Sequence, residues 1–312
     1  MLKAAPNMNQ KPSVVFDTSG LNQLLKESDT LSLVRRLKAE YFIRLTGTNV
    51  AEIAATPNAL RRDALLTLCR SLADDYLFPY HWITNALISR YEENPEIFDW
   101  WDVVVEWPEL EQELIRMEIF DDLLAEAQKK DHDSLNQDFK NLYVPGRPLI
   151  EQAFRTEPEG RPANFRQYLQ SLKDEPDGEF LKKAKSFYRG PAKREPDERS
   201  LKRFLAICPP FRALVIAACV PEYEYWMRNL STNQESLRAG PADLFSAVYL
   251  PYALRFVTHD DRQLNALRLV ATHGEIGQVQ ALSYDELKKD LLSNTTRPAK
   301  CAMRMETDLR DP

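Results

Sequence analysis

Two short apolar runs that end in acidic residues lie near opposite ends of this chain. Val14-Val15-Phe16 leads into Asp17, and Leu254-Arg255-Phe256-Val257-Thr258 leads into His259-Asp260-Asp261. A short run rich in β-branched and aromatic residues, bounded by turn formers, reads as a buried strand. An acid just past such a strand emerges at the carboxyl edge of its sheet. If both runs share one sheet, the fold must bring the two ends of a 312-residue chain together.

The flanks of both runs have α/β texture. Thr18-Ser19-Gly20 reads as a turn, and Leu21, Leu24, Leu25, Leu31, Val34 and Leu37 follow helical spacing. Glu40 to Thr46, with Tyr41-Phe42-Ile43-Arg44-Leu45 inside it, predicts a second strand. Thr48-Asn49 caps a helix over Val50 to Ala55, with Glu52 expected in its first turn. At the other end a helix starts at Asp243, the strand 254–258 follows, and Gln263 to Ala271 is amphipathic. Gly277 to Leu282 predicts a last strand, and Ser283 with Glu286 forms a capping box. Strands alternating with helices imply an open parallel sheet.

The middle of the chain differs. Apolar residues recur at helical spacing in Leu60 to Ala73, Trp82 to Tyr91, Leu110 to Ala127, Phe165 to Leu172 and Leu201 to Cys219. Strand-like runs are few, Val103-Val104-Val105 being a short one, and Pro-Gly-rich pieces read as loops. The organisation expected is a disordered 1–12, an α/β core from 13–57 and 240–292, a helical insertion over 58–239, and a flexible tail at 293–312.

Charge and cysteine usage narrow the function classes. A net charge of −6 excludes a whole-protein basic field, so any nucleic-acid contact needs a local patch. One candidate is Lys182 to Arg203, with nine bases, among them Lys182, Lys183, Lys185, Arg189, Lys193 and Arg194, against three acids. Phe187, Tyr188 and Phe204 are interleaved there and could stack on bases; a solvated helical face is the equal alternative. Glu92 to Glu126 is the counterpart, with thirteen acids and one base, Arg116. It also carries Trp100, Trp101 and Trp107, expected in the helical core. No apolar run is long enough for a membrane helix and no secretory signal is visible, so a cytoplasmic protein is expected. Cys69, Cys208, Cys219 and Cys301 are scattered and read as reduced thiols. His81, His132, His259 and His273 show no metal-ligand spacing.

Four acids remain to be explained. Asp17 and Asp260 follow strand ends, and Glu52 and Asp243 sit near helix starts. In an open parallel sheet these positions meet in the crevice outside the strand carboxyl ends. Unpaired carboxylates there would repel and take up protons. A hard divalent cation relieves that conflict and supports phosphodiester hydrolysis by activating water.

Val14-Val15-Phe16-Asp17-Thr18-Ser19-Gly20-Leu21 resembles the first motif of PIN-domain nucleases, and Asn49-Val50-Ala51-Glu52-Ile53 resembles the second. Asp243-Leu244-Phe245-Ser246-Ala247 and Phe256-Val257-Thr258-His259-Asp260 are similar to the third and fourth. The resemblance covers 13–57 and 240–292. It implies an α/β PIN-like three-layer α/β/α sandwich around a central parallel sheet, with a large mostly α-helical insertion. It implies a Mg²⁺- or Mn²⁺-dependent endonuclease acting on single-stranded RNA. Asp17, Glu52, Asp243 and Asp260 would be the catalytic metal ligands, with Asp261 as an adjacent acid. Thr258, Thr18 and Ser19 would be supporting hydroxyls. The chain departs from the family in the separation of 191 positions from Glu52 to Asp243 and in Pro251, which interrupts the third-motif helix. Three alternatives stand beside this reading: a catalytically silent PIN-like scaffold that binds a protein partner through its helical insertion, a toxin-type ribonuclease controlled by a partner, and a haloacid-dehalogenase-like hydrolase. The last needs a second Asp where Ser19 stands.

Overall fold

A computed structural model describes residues 11–106, 130, 162–174, 178–189, 196–228 and 241–294. The expected helix over Leu110–Ala127, the segment before Lys11, the tail beyond Asn294, Trp107, His132, Cys301, Lys193 and Arg194 lie outside the described residues.

Five parallel strands form the sheet: β1 (Ser13–Phe16), β2 (Phe42–Thr46), β3 (Asp75–Leu77), β4 (Arg255–Thr258) and β5 (Gln280–Ser283), in the order β3-β2-β1-β4-β5. The registers place Val15 opposite Arg44 on one side and Phe256 on the other. The two ends of the chain therefore do meet at the centre of one sheet. Val14, Val15 and Phe16 are fully buried. A parallel strand covered on both faces has no polar side, which is why this run is continuously apolar. Burying each of these side chains contributes on the order of 1.5–3 kcal/mol.

The two faces have separate cores. Val14, Phe16, Ile43, Leu45, Tyr76 and Val257 point to one face. They pack under α1 (Thr18–Leu25), α2 (Thr30–Glu40), α3 (Gly47–Ala54), α4 (Ala59–Leu72) and, from the far end of the chain, α13 (Tyr284–Asn294). Val15, Leu77, Phe256 and Ala281 point to the other. That face is covered by α5 (Tyr80–Glu93), α6 (Phe165–Asp174), α7 (Glu179–Arg189), α8 (Glu198–Ile207), α9 (Pro209–Ala217), a 3₁₀ segment (Ser246–Tyr252) and α12 (Asp261–His273). Between α9 and the 3₁₀ segment come α10 (Val220–Arg228) and α11 (Pro241–Phe245).

This corrects the expected organisation. The described residues within 58–239 are not set beside a finished core. They contribute β3 to the sheet, α4 to one face and most of the helical cover of the other. β3 escapes a sequence reading because three residues, one of them an acid, carry no usable alternation. Val103-Val104-Val105 is not a strand: Val105 accepts a bond from the Phe78 N–H at 2.8 Å, and Glu106 makes a single antiparallel bridge to Leu77. The span Leu201–Cys219 is two helices rather than one. Pro209 and Pro210 lack the N–H groups a helix interior needs, so they open α9 instead.

Candidate metal and phosphodiester site

The chain runs from β1 outward to β3 and then returns to the other side of β1 as β4. That reversal is a topological switch point, and the crevice outside its strand ends is where open α/β sheets bind ligands. Asp17 follows β1 and caps α1, its carboxylate accepting the Ser19 N–H at 2.9 Å. Thr258 ends β4 and is fully buried.

Glu52 stands on α3, in the second turn rather than the expected first. The helix begins earlier because Thr46 is its cap. Thr46 Oγ1 accepts the Asn49 N–H at 3.1 Å, and Asn49 Oδ1 accepts the Thr46 N–H at 2.8 Å. Gly47 opens the helix for a steric reason, since a Cβ there would lie 2.6 Å from the Pro79 ring. The β3–α5 connection thus presses directly on the helix that carries Glu52.

The structure brings Asp17 and Asp243 within electrostatic reach of Glu52. Glu52 keeps some surface in solvent, yet its carboxyl is pushed up from 4.5 to about 8. Burial is the main cause, and the Asp17 and Asp243 carboxylates add to it, while a hydrogen bond from Thr18 opposes them. Asp260 is placed differently. Its Oδ1 accepts the Arg262 and Gln263 N–H groups at 2.7 and 3.0 Å and so caps α12. Asp261 is exposed in the first turn of that helix. Among the described residues no three His, Cys, Asp or Glu side chains stand close enough to hold a metal ion together.

Two hydroxyl chains end on these carboxylates, and donor counting fixes their direction. The His259 N–H donates to Ser19 Oγ at 2.8 Å. Ser19 Oγ and Thr258 Oγ1 are 2.8 Å apart, Thr258 Oγ1 accepts the Asp260 N–H at 3.1 Å, and it reaches Asp17 Oδ2 at 3.3 Å. A carboxylate only accepts, so Thr258 spends its single proton on Asp17 and Ser19 donates to Thr258. In the second chain Asn49 Nδ2 donates to Thr18 Oγ1 at 3.1 Å, and Thr18 donates to Glu52. The adjacent residues Thr18 and Ser19 therefore serve different acids.

Gln263 was not singled out in the sequence, yet it joins the parts. It is 1% exposed, and its Nε2 lies 3.3 Å from Asp17 Oδ1, the Asp243 carbonyl and Ser246 Oγ. Among the described residues its Oε1 has no hydrogen-bond partner, although it is buried. A signal existed: Gln263, Ala266, Leu267 and Val270 share the buried face of α12, and an amide at a core-facing position calls for explanation. Tyr249 is the other unforeseen neighbour. Its buried hydroxyl donates to the Phe78 carbonyl at 3.1 Å and accepts from Thr48 Oγ1 at 2.9 Å.

The charged stretches fall elsewhere. Lys183 pairs with the buried Glu222, which also accepts from the Tyr168 hydroxyl at 2.8 Å. Lys182 pairs with Glu179, Lys202 with Glu198, and Arg203 with Glu96, so the basic and acidic segments meet. Lys185 is half-buried on α7, as is Phe187. Tyr188 and Phe204 are core residues packed edge-on or tilted among Phe211 and Tyr91, and so are not available to bases. Trp100 packs against the core and stacks at 4.1 Å on Trp101, which is 60% exposed, contrary to the expected burial. Cys69, Cys208 and Cys219 are buried free thiols. An open depression of about 380 Å³ lined by Glu40, Tyr41, Arg255 and Gln280 lies at the amino edge of the strands, away from the carboxylates. No single helix among the described residues is long and apolar enough to cross a membrane. No protein-family model, curated protein or solved structure matches the chain.

Proposed function

We propose that the chain is a PIN-type, metal-dependent endonuclease that hydrolyses phosphodiester bonds in single-stranded RNA. The observation that carries this reading is that the Glu52 carboxyl, at the switch point of the sheet, lies within electrostatic reach of both Asp17 and Asp243. Gathering like charges around a buried carboxyl lowers stability, and a fold has no structural use for it. The donor set is all hard oxygen, which suits Mg²⁺ or Mn²⁺, and Asp17, Glu52 and Asp243 are the residues that would hold the ion. When bound, such an ion supplies an activated water and steadies the charge that develops on the phosphate. The chain's own residues do the positioning. Thr258 and Gln263 hold the two oxygens of Asp17, and Thr18 orients Glu52. Asp260 caps its helix and, through its N–H on Thr258, keeps the Asp17 chain in register.

A second reading has one observation in its favour. Asp260's carboxylate is occupied as a cap, and no three acids stand at ligating distance among the described residues. That favours a silent PIN-like binding protein. Labelled single-stranded RNA and DNA, incubated with Mn²⁺ and then with chelator beside Asp17→Asn, separate the two. The nuclease reading expects RNA cleavage that chelator abolishes and the variant reduces by about 10–100-fold or more. No metal-dependent cleavage, or undiminished cleavage by the variant, overturns it.

A further inference from the structure

Two ties run from one short segment to the candidate ligands. The 3₁₀ segment Ser246–Tyr252 follows α11, which carries Asp243, and its residues are buried throughout. At three residues per turn, side chains three apart eclipse, so Ser246 and Tyr249 stand on one face. Ser246 Oγ donates back to the Asp243 carbonyl and lies 3.3 Å from Gln263 Nε2, the amide that also reaches Asp17. One turn on, the Tyr249 hydroxyl lies 2.9 Å from Thr48 Oγ1 and donates to the Phe78 carbonyl at 3.1 Å. A phenol has one proton and a carbonyl only accepts, so Thr48 is the donor to Tyr249.

Thr48 and Glu52 are four residues apart on α3, hence on the same side of that helix. Phe78, which takes the Tyr249 proton, directly precedes Pro79, the residue pressed against Gly47 at the helix start. The phenol therefore joins three pieces at one point. They are the segment that carries Asp243, the helix that carries Glu52, and the β3–α5 connection. Tyr249 is 1% exposed, and a core that needed only bulk there would be served by phenylalanine, with no hydroxyl to desolvate.

We propose that Tyr249 is a positioning residue for the carboxylate site, its hydroxyl setting the distance of Glu52 from Asp243 through Thr48. The proposal rests on the metal reading above and names a residue that fixes its geometry. The phenol acts through Thr48 and the turn of helix between Thr48 and Glu52, not by touching a ligand. A small divalent cation demands near-ideal placement of its oxygens, at about 2.0–2.1 Å for Mg²⁺, so a small displacement of α3 from the 3₁₀ segment weakens binding.

Calorimetric titration with Mn²⁺ tests the role without catalysis. Tyr249→Phe and Thr48→Val should each weaken Mn²⁺ binding by roughly 2–30-fold. The double variant should be no weaker than the worse single one, because both delete the same bond. Thr48→Ser keeps the hydroxyl and should bind as the wild type does. Tyr91→Phe is the control for a merely structural loss. Tyr91 is also 1% exposed, and its hydroxyl donates to the Ser200 carbonyl at 3.0 Å near the end of α5. It should lower stability in urea much as Tyr249→Phe does, yet leave Mn²⁺ affinity unchanged. Wild-type affinity in Tyr249→Phe or Thr48→Val, equal weakening by Tyr91→Phe, or additive losses in the double variant overturns the positioning role and leaves the metal site standing. If Tyr249→Phe does not fold, Thr48→Val beside Thr48→Ser decides. No Mn²⁺ binding by the wild type overturns the metal reading and this role with it.

Discussion

Glu52→Gln isolates the charge that the fold crowds. In the folded chain the Glu52 carboxyl is displaced from 4.5 to about 8, by burial first and by Asp17 and Asp243 after it. Between those values the folded chain holds a proton that the unfolded chain has lost. The stability tied to this group is therefore complete below about pH 4.5 and falls as pH rises through 8. At about 1.4 kcal/mol per pH unit the ceiling is about 5 kcal/mol. Partial solvent contact of Glu52 screens the effect and brings the expected loss to about 2–3 kcal/mol. Glutamine keeps the shape and stays neutral throughout. Urea unfolding of metal-free protein at pH 4, 7 and 9 should show the two proteins equal at pH 4. At pH 9 Glu52→Gln should be more stable by about 2–3 kcal/mol. A difference independent of pH, or a more stable wild type at pH 9, refutes the crowding.

Three further outcomes follow from the same geometry. Gln263→Leu removes the one amide that joins Asp17, the Asp243 carbonyl and Ser246, and should weaken Mn²⁺ binding by about 10–100-fold in calorimetry, with Gln263→Asn too short to restore it. Thr258→Val leaves Ser19 Oγ and the Asp260 N–H without their buried partner and should cost about 1–3 kcal/mol in denaturant unfolding, whereas Thr258→Ser should be nearly neutral. Gly47→Ala drives a Cβ into Pro79 and should destabilise by about 1–3 kcal/mol, read as a lowered melting temperature.

What the sequence disclosed depended on strength of pattern. β1 was legible because Val14-Val15-Phe16, buried on both faces, is an unbroken apolar run, and β4 because Phe256-Val257-Thr258 is a short run rich in β-branched and aromatic residues. The Ser283–Glu286 box was legible because its residues bond each other, at 2.7 and 3.1 Å. β3 was illegible because Asp75-Tyr76-Leu77 is short and its acid bonds the Tyr76 N–H and pairs with Arg44. The role of 58–239 was hidden because a helix's apolar stripe does not say which sheet face it covers. Asp17, Glu52 and Asp243 stand out as candidates in the sequence, but Asp260's capping of α12 and Gln263's bridge depend on side-chain placement. Spacing alone cannot supply that.

The central claim is that Asp17, Glu52 and Asp243 together hold a divalent cation. Anomalous diffraction from Mn²⁺-soaked crystals tests it most directly. The account predicts a manganese peak among these three carboxylates at the carboxyl edge of β1, lost in Asp17→Asn crystals. No peak at saturating Mn²⁺, or one only at other carboxylates, would contradict it.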